Sequence, residues 1–132
     1  MDKVYMINGH EVRFYCNEEN RIVTATIDNC KWDVNNALWS NFGLNFDLYD
    51  SADRHTDKFE MPSVMKCVAF CHPDDEFNEE LGKRVAYKKL RKKYWSKYAK
   101  RMYNLRSILV DAAIYCSKDA EKAYGRADQI TL

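Results

Sequence analysis

Hydrophobic and polar residues alternate near the N-terminus, as they do in half-buried β-strands. Asn8 and Gly9 stand between two of these runs, and an Asn-Gly pair supplies the two positive-φ residues of a tight type I′ hairpin. The polar segment 17–20 is typical of a second turn, and residues 21–27 repeat the alternation as a third strand. The predicted inward-facing positions are Val12, Phe14, Cys16, Val23, Ala25 and Ile27. The pattern therefore predicts an N-terminal β-meander.

The middle of the chain has a weaker pattern. "DVNNALWSNFG" is compatible with a short helix capped by Asp33 and ended by Gly43. Residues 44–49, "LNFDLY", are compatible with a strand, and residues 50–62 are predicted to form an exposed polar loop. Residues 64–71, "VMKCVAFC", are apolar enough to predict a strand in the centre of a sheet.

From Asn78 onward the apolar residues follow a helical period, and no proline interrupts them. The helical arc contains Leu90, Tyr94, Tyr98, Leu105, Ile108, Leu109 and Ala112, with Arg101 interrupting it. An unbroken helix over about 39 residues would be about 58 Å long at 1.5 Å per residue. Because that length overhangs a small sheet, we expect a break near Tyr103 and Asn104 or pairing with a second subunit. The tail from Gly125 is expected to be loose.

These elements predict one α+β domain over residues 1–132, a length typical of a single domain. An antiparallel N-terminal sheet, about 3–71, is packed by a long basic C-terminal helix or helix pair, about 78–124. The N-terminus lacks the apolar run of a signal peptide, and no stretch is apolar enough to cross a membrane. The sequence therefore predicts a cytoplasmic protein without membrane partners.

Charge is strongly separated along the chain, although the net charge is only +1. Residues 1–80 contain 7 Lys or Arg against 16 Asp or Glu. Residues 83–106 contain 11 Lys or Arg and no acid, and residues 107–132 contain 3 against 4. Such separation favours oriented association with a charged partner.

The cysteines do not suggest a disulfide framework, because their number is odd and no CxxC pair occurs. They are Cys16, Cys30, Cys67, Cys71 and Cys116. Cys67 and Cys71 would share a face of the predicted strand about 13 Å apart, too far to hold one ion. We expect buried free thiols.

The segment "HPDDE" after the fifth predicted strand resembles the metal motif of the zinc-dependent N-acetylglucosamine deacetylase family. By position, the resemblance implies His72 and Asp75 as metal ligands and Asp74 as the base. It covers five residues, and that family carries the motif after the first strand of a doubly wound fold. Catalytic zinc takes three protein ligands and a water, and no histidine follows His72. The sequence therefore predicts no metal, no cofactor and no enzymatic activity, and instead a helix entry with Asp75 or Asn78 as N-cap.

The longer segment "CHPDDEFNEELGKRVAYKK" resembles a motif of small phage and prophage proteins of Gram-positive bacteria. The matching residues are His72, Pro73, Asp74, Asp75, Phe77, Asn78, Glu79, Glu80, Gly82, Lys83 and Ala86. A related pattern occurs in uncharacterised domains with a double-stranded-RNA-binding-like β-β-β-α fold. The resemblance implies a non-enzymatic phage-type protein that binds and inhibits a host defence component, as anti-CRISPR proteins do. Its implied partner is a defence protein or nucleoprotein complex in the bacterial host cytoplasm.

The basic helix supports an alternative function, the binding of DNA or RNA, because Lys and Arg can neutralise phosphates and aromatic rings can stack on bases. The candidate binding residues are Lys88, Lys89, Arg91, Lys92, Lys93, Trp95, Lys97, Lys100 and Arg101. The pattern is also compatible with a structural or simply solvated helix, whose lysine stems cover the sheet, and with a protein partner. The tyrosines of the helical arc are expected in the core. The N-terminal acids could instead imitate nucleic-acid phosphates, and a dimer is compatible with the long helix.

Overall fold

A computed structural model describes residues 4–43 and 59–132 of the chain. The elements in chain order are β1 (Met6–Ile7), β2 (His10–Glu11), β3 (Arg13–Asn17), β4 (Ile22–Ile27), α1 (Asp33–Phe42), β5 (Met65–Phe70) and α2 (Glu79–Asp128). The two antiparallel sheets lie in the N-terminal part and pack against the long helix, so the predicted α+β class is confirmed. The predicted strand over 44–49, and residues 50–58 of the predicted loop, lie outside the described residues.

The first hairpin forms as its sequence predicts. Asn8 and Gly9 adopt φ angles of 48° and 82°, the left-handed values that a type I′ turn requires. Ile7 then pairs with His10 across the turn. The backbone N–H of Val12 donates to the carbonyl of Tyr5 at 2.8 Å, which continues the antiparallel contact. The turn therefore positions Asn8 and His10, whose side chains contact Tyr94 and Asp33.

The main sheet has the order β3-β4-β5, with every neighbour antiparallel. Its inward face carries Val23, Ala25 and Ile27 from β4, and all three are buried against α2, as predicted. The strand predicted over residues 64–71 forms as β5, but its predicted central position is wrong, because β5 lies at the edge of the described sheet. Its apolar residues reflect its inward face, where Met65 and Ala69 are buried.

Two lysines of α2 cover the backbone of that edge strand. Lys89 Nζ donates to the carbonyl of Val68 and Lys93 Nζ donates to the carbonyl of Lys66, each at 3.3 Å. Unpaired carbonyls at a sheet edge invite pairing with another chain, and lysines are a common means of preventing it. These two basic residues therefore have a structural role in the contact between helix and sheet.

Helix α2 is continuous over 50 residues, about 75 Å at 1.5 Å per residue. The predicted break near Tyr103 is absent, and the helix extends to Asp128, through the first half of the predicted loose tail. Asn78 is its N-cap, since its side-chain oxygen accepts from the N–H of Leu81 at 3.0 Å. The buried residues of the helix are Ala86, Leu90, Tyr94, Arg101 and Leu105. All residues from Leu109 to the C-terminus are exposed, so Leu109 and Ala112 of the predicted helical arc do not contribute to the core.

In the described part of the chain no helix is long and apolar enough to cross a bilayer.

Helix α1 ends as predicted, with Gly43 in the left-handed conformation at φ 66°. Its predicted start is wrong, because Trp32 occupies the N-cap position and no side chain caps the helix. Asp33 lies in the first turn, and its carboxylate contacts His10 and Tyr94 instead. A tertiary hydrogen bond has therefore replaced the local cap.

The last residues of the predicted polar loop also differ from the prediction. Phe59 and Met61 are buried, although residues 50–62 were expected to be exposed. The N–H of Met61 donates to the carbonyl of Lys31 at 3.1 Å, and the carbonyl of Glu60 accepts from the guanidinium of Arg101. These backbone contacts hold the segment against α2, so its two apolar side chains enter the core.

Candidate functional site

The solvent-facing side of α2 carries several cations and two aromatic rings. We define this basic face as Arg84, Lys88, Arg91, Lys92, Trp95, Tyr103 and Arg106. At about 100° per residue these positions fall within a 120° arc opposite the buried stripe, and they extend along about 33 Å of helix. All seven residues are exposed. Across residues 4–43 and 59–132, none of the five cations forms a salt bridge with an acidic side chain.

The ring of Trp95 on the basic face packs against neighbouring aromatic rings. Trp95 is 43% exposed, and its ring packs edge-on against Tyr94 and Tyr98 at centroid distances of 5.0 and 5.3 Å. The guanidinium of Arg91 lies 5.4 Å from the ring centroid of Tyr87. Tyr103 is 66% exposed. The face therefore combines five exposed cations, none of them paired with an acidic side chain among the described residues, with an indole ring that has an accessible surface.

The structure divides the predicted binding residues into three groups. Lys88, Arg91, Lys92 and Trp95 lie on the basic face. Lys89 and Lys93 contact the edge of β5, while Lys97 is half-buried and Lys100 is exposed on the flank of the helix. Arg101 is buried at 8% exposure, and its guanidinium donates to the carbonyls of Glu60 and Lys97. Arg101 is the residue that interrupts the predicted apolar arc. It is therefore part of the buried side of the helix and not of its exposed surface.

Three residues of the basic face were missed by the sequence analysis. Arg84, Tyr103 and Arg106 lie outside the most densely basic segment. Only the helical period shows that they share one side of the helix with Lys88 and Lys92. Extending the same 3.6-residue repeat in both directions would have found them.

The "HPDDE" segment forms a loop around Arg21. The guanidinium of Arg21 donates to the carbonyls of His72, at 3.0 Å, and Asp75, and to Sγ of Cys71 at 3.4 Å. His72 Nδ1 accepts from the N–H of Asp74 at 3.1 Å. The side chains of His72 and Asp74 are 65% and 89% exposed, which is unlike a converging ligand set. Among the described residues no metal-competent cluster includes this loop.

A second polar site was not predicted by the sequence analysis. His10 Nε2 lies 2.7 Å from Oδ2 of Asp33, and the hydroxyl of Tyr94 donates to the same carboxylate oxygen. The side-chain amide of Asn8 donates to the Tyr94 hydroxyl at 2.7 Å. Burial raises the pKa of the Tyr94 hydroxyl, and the Asp33 carboxylate raises it further against the opposing hydrogen bond from Asn8. Tyr94 therefore stays a neutral donor that orients Asp33.

Cys30 lies directly behind this network. Its side chain is fully buried, and desolvation raises the pKa of the thiol to about 12, with the carboxylates of Asp33 and Asp28 contributing. A ring nitrogen of His10, Sγ of Cys30 and a carboxylate oxygen of Asp33 all lie within 4.8 Å of one another. No other such triad of His, Cys, Asp or Glu occurs in the part of the chain that the structure describes.

The network opens into a solvent-accessible cavity of about 300 Å³. Its polar lining includes Asn8, His10, Asp33, Asn36, Ser40 and Tyr98. Sequence reasoning missed the site because its members lie up to 86 positions apart and meet only through the packing of the first hairpin and α1 on α2. The predicted Asn8-Gly9 turn was the one sequence signal related to this site, because it determines the position of His10.

Comparisons with protein-family models, with curated proteins and with solved structures found no match to this chain.

Proposed function

We propose that this protein is a non-enzymatic binding protein and that its basic face binds nucleic acid. The observation that carries the proposal is the row of five exposed cations without salt-bridge partners among the described residues, which extends along one side of α2. Lys and Arg in such a row can follow a phosphate backbone and release its condensed counterions. The near-neutral exposed segment of α2 beyond Ser107 offers no comparable charge.

The aromatic residues favour contact with unpaired bases. Trp95 has an accessible ring surface between Lys92 and the C-terminal part of the face, and Tyr103 lies two turns further on. Stacking of a base on an aromatic ring contributes about 1–3 kcal/mol and tolerates any base. Backbone contacts from the cations and stacking on Trp95 together favour single-stranded nucleic acid over a duplex.

The test is a salt titration of binding by fluorescence anisotropy, with labelled 20-nucleotide single strands and the matching duplex. We expect affinity to fall steeply between 50 and 200 mM salt. The double variant Lys88→Gln, Lys92→Gln should reduce the slope of log K against log salt by about 1.4 for a single strand, at about 0.7 for each lost phosphate contact. The matched control is Lys118→Gln, Lys122→Gln, which removes two cations from the exposed distal part of the same helix and should leave the slope unchanged.

A second variant pair isolates the aromatic contribution. Trp95→Ala should weaken single-strand binding by about tenfold, which corresponds to about 1.4 kcal/mol. Trp39→Ala removes an equally large ring that is 62% exposed on α1, and it should have no effect. Binding that does not depend on salt, or a salt slope in the Lys88, Lys92 variant equal to that of the wild type, would contradict the proposal.

The predicted antagonism of a host defence component remains a separate proposal, supported by the phage-type motif and by the charge separation along the chain. It is tested by plating phage on bacteria that carry an active defence system, with and without this protein. Rescue of plating by the wild type, and its loss in the Lys88, Lys92 variant, would connect the basic face to that function. Plating unchanged by expression of the protein, across the systems tested, would contradict it.

A further inference from the structure

We propose that His10, Cys30 and Asp33 form a binding site for one Zn²⁺ ion, with the fourth coordination position open to the adjacent cavity. The three side chains provide one nitrogen, one sulfur and one oxygen donor. This mixed set suits a borderline-soft cation such as zinc and is a poor match for Mg²⁺ or Ca²⁺, which take oxygen ligands.

The donor atoms are already close to the required spacing. Zinc bonds of about 2.0–2.3 Å in a tetrahedral arrangement place neighbouring donors about 3.3–3.8 Å apart. Here the His10 and Asp33 donors are 2.7 Å apart, and no pair within the triad exceeds 4.8 Å. Side-chain shifts of about 1 Å or less would therefore bring all three to one ion.

Charge balance favours an ion at this site. When Zn²⁺ binds, the S–H bond of Cys30 is exchanged for an S–Zn bond and the thiol proton passes to solvent. The ring proton that His10 Nε2 shares with Asp33 moves through solvent to Nδ1, which leaves the Nε2 lone pair free to bind the ion. The resulting thiolate, the carboxylate of Asp33 and a neutral His10 balance the double positive charge of the ion. Such neutrality matters because the side chains of His10 and Asp33 are only 18% and 10% exposed, and Cys30 is fully buried.

The backbone around the triad is fixed by hydrogen bonds. The N–H of Cys30 donates to the carbonyl of Ser63 at 3.3 Å, and the N–H of Asp33 donates to the carbonyl of Cys30 at 3.1 Å. Tyr94 holds the carboxylate of Asp33, and Asn8 in turn holds Tyr94. Outer partners of this kind orient metal ligands and tune their affinity.

The open side of the triad defines what the ion could bind. The cavity of about 300 Å³ borders His10 and Asp33, and most of its other lining residues carry an amide or hydroxyl group. Three protein ligands with a free position leave room for a water or a small anionic ligand. The proposed site lies apart from the basic face, and the inference does not depend on nucleic-acid binding.

The test uses the reduced full-length protein after treatment with a chelator. Titration with Co²⁺ should give the absorption of a tetrahedral site with thiolate-to-cobalt charge transfer, saturating at one equivalent and displaced by Zn²⁺. Cys30→Ser should abolish the thiolate band, and Tyr94→Phe should weaken Zn²⁺ binding by about 10–100-fold. The controls are Cys71→Ser and His72→Ala, which alter the "HPDDE" loop and should leave the spectrum unchanged.

A further variant leaves the triad itself unchanged. The combined replacement of Cys16, Cys67, Cys71 and Cys116 by Ser keeps Cys30 as the single thiol and should retain the full charge-transfer band. The proposal is overturned by the absence of stoichiometric Zn²⁺ binding to the folded protein, by a band that survives in Cys30→Ser, or by loss of the band in the variant that retains Cys30 alone.

Discussion

Gly82 of α2 lies so close to Val23 of β4 that a Cβ atom on residue 82 would be 2.5 Å from Cγ2 of Val23 and 3.3 Å from its Cβ. The sequence placed a glycine inside a helix, where it costs about 1 kcal/mol relative to alanine. The contact explains the exception, because only the absence of a side chain lets the helix approach the central strand at this point. Gly82 therefore sets the separation of α2 and the sheet near the N-terminus of the helix.

We expect Gly82→Ala to reduce the free energy of unfolding by about 1–3 kcal/mol, because overpacking against Val23 exceeds the gain in helix propensity. The measurement is urea denaturation followed by circular dichroism. Gly125→Ala is the matched control, because a Cβ at residue 125 meets no atom within 4 Å. That variant should be stabilised by up to about 1 kcal/mol, and equal effects of the two substitutions would contradict the proposed contact.

The hydroxyl of Tyr94 is predicted to stabilise the fold through its two partners. Tyr94→Phe keeps the buried ring but leaves the Asp33 carboxylate and the Asn8 amide each without one hydrogen bond. Loss of such buried partners costs about 1–3 kcal/mol, which a shift in the urea midpoint would report. Tyr124→Phe, on a ring that is 74% exposed, should shift the midpoint by less than the experimental error.

Arg21 is predicted to hold the loop between β5 and α2 in place. Arg21→Ala removes the donors to the carbonyls of His72 and Asp75, and hydrogen bonds from a charged group contribute about 1.5–3 kcal/mol each. We expect destabilisation of that order and faster amide exchange at residues 72–76. Arg13→Ala, which removes an exposed salt bridge to Asp28, should cost at most about 1 kcal/mol and leave exchange in the loop unchanged.

The sequence predicted those features that depend on neighbouring residues. Asn8 and Gly9 specify their turn locally, and Asn78 caps α2 through a contact three residues away. The continuity of α2 also follows from local rules, since no proline occurs in the helix and its length does not require a sheet beneath it. The expected break came from assuming that a helix ends where its packing ends.

Features that depend on distant contacts could not be read from the sequence. Asp33 was assigned to a helix cap because its partners, His10 and Tyr94, lie on other elements. Arg101 was assigned to the binding surface because its acceptor, the carbonyl of Glu60, lies in a segment without a clear pattern. In both cases a polar side chain satisfies a buried partner that only the folded chain brings near.

Stability is predicted to fall at alkaline pH because the fold keeps the Cys30 thiol protonated. Burial, with a smaller contribution from the carboxylates of Asp33 and Asp28, raises the pKa of this thiol to about 12 in the folded protein. A raised pKa contributes stability that is fully present below pH 9 and is lost as the pH rises toward 12, since the unfolded chain releases the proton first. Tyr94 adds a loss in the same direction at higher pH, because its hydroxyl pKa is also raised.

Urea midpoints measured in metal-free buffer should therefore decline from about pH 9, and each group contributes a slope of at most about 1.4 kcal/mol per pH unit. Cys30→Ala is expected to be less stable at pH 7, because it loses a buried side chain, but to lose less stability between pH 9 and 11. Cys116→Ala removes an exposed thiol and should keep the wild-type slope. If the stability of Cys30→Ala fell between pH 9 and 11 as steeply as that of the wild type, the buried thiol would not be the group that titrates.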